Sequence, residues 1–157
     1  MTIVFDADII STFAKIERLD VLKKIFAEPL LFPDAVHDDL LRALDAGHNY
    51  IQPALKACGH VSLNEAELRF VEMRYGKTLG LGELECIAIC FFRKHSFASN
   101  DRKAQQEAKK QGITVITLSD ILWMIKEKTT NEELRQIIQA IEEKDNTTIK
   151  GKELLLK

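Results

Sequence analysis

The stretch TIVFDADIIS, residues 2–11, decides how the rest of the chain is read. Thr2 to Phe5 form a short β-branched and apolar run that leads straight into Asp6-Ala7-Asp8. The apolar pattern then resumes at Ile9 and Ile10 with helical character, so a buried strand is expected to pass at once into a helix. The carboxylates at that junction have two readings. Asp6 caps the helix that follows, or it holds a cation. This stretch alone leaves both open.

Further along, short apolar segments keep alternating with longer amphipathic ones. LLFP (30–33), HVSL (60–63), SFAS (96–99) and ITVIT (113–117) read as further strands. Helices are expected over 8–16, 19–27, 34–47, 49–58, 64–76, about 83–94 and 100–112, with two more in LSDILWMIKEK (118–128) and NEELRQIIQAIEEK (131–144). Their punctuation is partly visible. Asp34 is expected to cap the third helix, and Asn64 with Glu67 three residues on forms a capping-box pattern. Trp123 is expected in the core or at an interface, and Leu154–Leu156 near the end offer packing or a dimer contact. Strands separated by helices predict an α/β domain with a mainly parallel sheet.

The bulk numbers bound this reading. At 157 residues, 46% hydrophobic and 29% charged, the chain fits one domain with a substantial core. A net charge of -2 gives no overall reason to bind nucleic acid or anionic membranes. Contact with a nucleic acid would have to come through local basic residues or a metal. No apolar run approaches the roughly 18–20 residues of a membrane span. The first residues lack the basic region of a secretory signal. Three cysteines, Cys58, Cys86 and Cys90, make no disulfide framework, so a reduced cytoplasmic protein is expected. Cys86 and Cys90 share a helix face as small core residues.

Ligands of open parallel sheets bind outside the carboxyl ends of the strands. Asp6 follows the first strand there, and Asn100-Asp101 follow SFAS. Acids also stand in HDDLL, as Asp38 and Asp39, and in GLGELE, as Glu83 and Glu85. Each alone has a plain explanation: a cap for Asp6 or Asp101, a solvated helix face for Asp38 and Asp39, a favourable helix dipole for Glu83. Gathered together they would repel, by about 4 kcal/mol per pair ~4 Å apart at an effective dielectric near 20. Such a cluster is tolerable if it shares protons or holds a divalent cation. Oxygen ligands without neighbouring His or Cys suit a hard ion, Mg²⁺ or Mn²⁺.

VFDADIIS (4–11), PDAVHDDL (33–40), GLGELECIAIC (80–90) and FASND (97–101) occur in this order along the chain. In their order and placement these motifs resemble the PIN domain family, over residues 2 to 126. The resemblance implies a three-layer α/β/α sandwich around a central twisted sheet, with a nuclease domain over 1–126 and a helical extension over 127–157 packed on it. It implies a Mg²⁺- or Mn²⁺-dependent endoribonuclease acting on single-stranded RNA. By motif position the acidic roles fall to Asp6, Asp39, Glu83 and Asp101, with Asp6, Glu83 and Asp101 on the metal. Asp39, six residues after Pro33, stands where the family more usually has Glu.

Glu85 competes with Glu83, although side chains two positions apart on a helix diverge by about 200°. Asp8 and Asp38 are supporting candidates, and Ser99 matches the family's small hydroxyl, placed to orient a water or an acid. Arg102 and Lys103 are the nearest candidates for phosphate contact, and His37 lies beside the acidic pair as a possible proton donor. Single-stranded RNA, an antitoxin protein and a second copy of the chain are the partners implied. The rival expectation is a PIN-fold module that binds RNA or protein without cutting.

Overall fold

The computed structural model describes residues 2–27 and 29–157. Five strands form one sheet in the order β3-β2-β1-β4-β5: β1 (Ile3–Phe5), β2 (Leu30–Pro33), β3 (Gly59–Val61), β4 (Ser96–Ala98) and β5 (Val115–Ile116). Every pairing is parallel, which sharpens the expectation of a mainly parallel sheet. β1 and β4 are buried along their whole length. That explains why IVF is apolar throughout instead of alternating: a parallel sheet is covered on both faces.

α1 (Ala7–Lys15) and α2 (Leu19–Ile25) connect β1 to β2. α3 (Asp34–Asp45), a 3-10 turn (Asn49–Ile51) and α4 (Gln52–Ala57) lead to β3. α5 (Glu65–Arg74) and α6 (Leu81–Arg93) carry the chain back to β4, and α7 (Arg102–Lys110) joins it to β5. α8 (Leu118–Lys128), α9 (Asn131–Lys144) and α10 (Lys152–Leu155) follow. The usual right-handed crossover puts α1 and α2 on one face of the sheet and α6 with α7 on the other, while α3 packs against both α1 and α6. The contacts agree: α6 lies on β1, β2 and β4, while α1 and α2 meet α9 and α8. The result is the expected three-layer α/β/α sandwich. Residue 126 lies inside α8, and Leu134, Ile137, Ile138, Ile141 and Leu155 belong to the same buried cluster as the sheet.

β1 is the point where the strand order reverses, with β2 on one side and the later β4 on the other. In such sheets the crevice opens above the carboxyl ends of those strands. Phe5 pairs with Ala98, and the Asp6 N–H donates to the Ala98 carbonyl at 2.9 Å. The residues that follow β1 and β4 are therefore laid side by side.

Several local expectations change. Asp34 is the first residue of α3 and not its cap; Pro33 holds the cap position without a side-chain bond. The side chain of Asp34 instead meets His60 within β3 and Ser62 just beyond it. α6 starts at Leu81, so Glu83 stands three residues past the capping Gly80 instead of opening the helix. Pro53 sits in the first turn of α4, where its missing N–H costs nothing. Trp123 is not a core residue: it is 45% exposed, with the Lys126 ammonium 5.2 Å from its ring. Cys86 and Cys90 are buried as expected. Among the described residues no helix is long and apolar enough to cross a membrane.

Candidate active site

Asp6 leaves the buried end of β1 and is itself only 7% exposed. Its Oδ1 accepts from the Ala7 N–H at 2.8 Å, which caps α1, and its Oδ2 accepts from the Ser99 hydroxyl at 3.0 Å. The same Ser99 oxygen accepts from the Asp101 N–H at 3.1 Å. One small hydroxyl, buried behind the strand ends, thus fixes the first and last acids relative to each other. Asp101 caps α7 through Oδ1, which accepts from Ala104 at 2.8 Å. Asp8 ties the two strand exits together, accepting from the Ile9 N–H at 2.7 Å and the Asn100 N–H at 3.0 Å.

Glu83 enters this group from α6. Its Oε1 accepts from Gly80 at 3.4 Å, while Oε2 is buried and has no hydrogen-bond partner among the described residues. Electrostatics link the four acids. Burial, then Asp8 and Glu83, raises the Asp6 carboxyl to about 7 against the donors Ser99 and Ala7. Asp8 is raised by burial and by Asp101. Glu83 is raised by burial and by Asp101, whose carboxyl is close enough to share a proton with it. Asp6, Asp8 and Glu83 thus each hold a proton to higher pH than an ordinary carboxylate of their kind.

Glu85 faces elsewhere, as the angle between the two positions predicted. Its Oε1 accepts from the Ala35 N–H at 2.8 Å, so this buried side chain satisfies the first turn of α3 that Pro33 cannot cap. Burial, then Asp34, Asp38 and Asp39, raises it. Asp38 and Asp39 line a cleft of about 480 Å³ together with Asp6, Glu83, Arg42 and Tyr75. Asp39 accepts from Arg42 within α3. His37 stacks on His60 at 4.2 Å and 4°. Arg102 and Lys103 are exposed on the first turn of α7 and do not line the cleft.

Arg42 and Tyr75 are the lining residues the sequence reading passed over. Arg42 had a signal, since three residues after Asp39 on a helix is the spacing of a facing pair. Tyr75 had none: it ends α5 outside any periodic pattern.

The donor set suits a hard divalent cation. It is all oxygen, its members repel one another, and one buried Glu83 oxygen waits without a donor. Among the described residues no three such side chains are gathered tightly enough to hold an ion unaided. Water or substrate oxygens would fill the remaining positions, as Mg²⁺ commonly requires.

A parallel sheet with acids above its switch point defines an α/β protein with a candidate cation site. A family model described as DUF3368, a PIN domain, matches residues 2–154, and the chain belongs to the PIN domain family. It is similar in fold to a solved structure, a PilT N-terminus domain protein, SSO1118, from the hyperthermophilic archaeon Sulfolobus solfataricus P2. That similarity has a TM-score of 0.55 at 15% identity and covers 80% of this chain and 93% of the other. A comparison with curated proteins finds no match. PIN domains are generally nucleases that use divalent metals.

Proposed function

We propose that this chain is a Mg²⁺- or Mn²⁺-dependent endoribonuclease that hydrolyses phosphodiester bonds of single-stranded RNA. The observation that carries the reading is the group Asp6, Asp8, Glu83 and Asp101 above the ends of β1 and β4, of which Asp6 and Glu83 line the acidic cleft. Asp6, Glu83 and Asp101 would hold the ion, which when bound supplies Lewis-acid stabilisation of the phosphoryl oxygens and acidifies a water. Ser99 keeps Asp6 and Asp101 in register, and Asp8 locks the Asn100 backbone above them. Asp39 borders the same cleft, placed to orient water. Because Asp6 is nearly buried, a flexible strand that can bend a phosphate inward reaches it more readily than a rigid duplex. The choice of RNA, and a role as the toxin restrained by an antitoxin protein, follow the motif resemblance.

The binding-only alternative is favoured by one observation, the occupation of Asp39 by Arg42. The two readings separate in a cleavage assay on labelled single-stranded RNAs with Mn²⁺ or Mg²⁺, beside EDTA and Asp101→Asn. Cutting that needs the metal and stops in the variant supports the nuclease. Folded protein that cuts none of a varied RNA set in Mn²⁺ contradicts it.

A further inference from the structure

Among the described residues that line the cleft, Arg42 is the only cation, and it shares that lining with Asp6, Asp38, Asp39 and Glu83. Its guanidinium donates through Nη2 to Asp39 Oδ1, one turn back on α3. The arginine side chain is 73% exposed and that of Asp39 45%. An ion pair so open to water contributes little and exchanges readily. A guanidinium, by contrast, fits a phosphate with two parallel bonds. Tyr75 reaches the same cleft from the end of α5 and is 61% exposed. A large ring held in the open beside a polar cleft has the form of a stacking platform for a base. Gly82 keeps Asp39 close to α6: a Cβ there would come 3.3 Å from Asp39 Oδ2.

We infer that Arg42 changes partner when a single RNA strand enters, leaving Asp39 for a backbone phosphate while Tyr75 stacks a base of the same strand. The inference rests on the nuclease reading and adds a coupling to it. Asp39, released, presents an uncompensated carboxylate to the cleft that holds Asp6 and Glu83. RNA binding therefore strengthens cation binding, and by linkage the cation strengthens RNA binding. Arg42 acts here as a positioning residue and Tyr75 as a binding residue.

The test uses fluorescence anisotropy of a labelled phosphorothioate RNA with Ca²⁺ present, and Mn²⁺ titration calorimetry without RNA, on the full chain. Arg42→Gln is expected to weaken RNA binding about tenfold and to lower the slope of log Kd against log salt by about 0.7, the share of one phosphate on a single strand. The same variant is expected to bind Mn²⁺ several-fold more tightly in the absence of RNA. Arg42→Lys, which keeps the charge and loses the fork, is expected to weaken binding but keep the slope. Tyr75→Ala should weaken binding about tenfold at unchanged slope, and Tyr75→Phe should restore it. Wild-type protein that binds no RNA would overturn the nuclease reading and this inference with it. Wild type that binds, with Arg42→Gln equal to it in affinity and slope, overturns the inference alone. Weakened RNA binding with unchanged or weaker Mn²⁺ binding overturns the exchange of partners.

Discussion

The carboxylate of Asp6 accepts from Ala7 and from Ser99, and an ionised carboxylate still has lone pairs beyond those two bonds. Capping α1 and holding a cation are therefore compatible, and the same is true of Asp101 at the start of α7. Without a cation the burial of Asp6 beside Asp8 and Glu83 is a cost to the fold. Asp6→Asn is expected to raise the melting temperature of metal-free protein by a few degrees. It should also abolish the upward shift that millimolar Mn²⁺ gives the wild type, since an ion stabilises only the state that binds it. Equal Mn²⁺ shifts in both proteins would place the ion elsewhere. Ser99→Ala leaves every acid in place but unties Asp6 from Asp101. It should reduce metal affinity or cleavage roughly 10- to 100-fold, the usual effect of losing a group that orients ligands; titration calorimetry beside a cleavage assay reads it. The acids themselves could be read from sequence, because a residue just past a short apolar strand has its position set by the strand. The hydroxyl bridge between Asp6 and Asp101 depends on pairing across 93 residues, which no local pattern reveals.

At the scale of elements, α5 and α6 are joined by an ion pair between a buried carboxylate and a half-buried guanidinium. Arg93 donates from Nε and Nη2 to Glu67 at 2.8 Å each, and also from Nη2 to the Ser62 carbonyl at 3.0 Å. Glu67 is fully buried and completes the capping box with Asn64. Burial alone would raise its carboxyl; the Arg93 guanidinium and the Asn64 N–H outweigh that and bring it below the ordinary range. A lowered folded-state value means that the stabilisation is present above the unfolded pKa and is lost as pH falls through the folded one. Arg93→Ala, which strands a buried carboxylate, is expected to destabilise by about 3 kcal/mol at neutral pH. The deficit against wild type should shrink as pH drops below about 4; denaturant midpoints at pH 7 and pH 3 check both. The Asn64–Glu67 box was visible in sequence because it spans one turn. Arg93 was not, nor was the cap that Glu85 supplies to α3, since both partners come from another element. For Trp123 only the core half of the expectation falls away. The buried stripe of α8 is Leu118, Ile121, Leu122 and Ile125, and Trp123 falls beside it.

Across the whole molecule, the order β3-β2-β1-β4-β5 is what makes distant acids neighbours. The alternation of strand and helix was readable in sequence and announced a parallel sheet. The order of the strands was not, because it depends on which sheet edge each crossover reaches. The last helices take part in the same core. Truncation after residue 126 cuts α8 and removes Leu134, Ile137, Ile138, Ile141 and Leu155 from the buried cluster. The shortened chain is expected to aggregate or to lack a cooperative melt, as gel filtration and circular dichroism would report. A soluble, cooperatively melting 1–126 fragment would show that the sheet and its remaining helices are sufficient. The most direct test of the account is a crystal of the protein soaked in Mn²⁺ and measured at the manganese absorption edge. An anomalous peak among the carboxylates of Asp6, Glu83 and Asp101, and its absence in Asp101→Asn, is the predicted result. A peak elsewhere, or none at saturating Mn²⁺ in well-ordered wild-type crystals, would contradict a metal centre above β1 and β4.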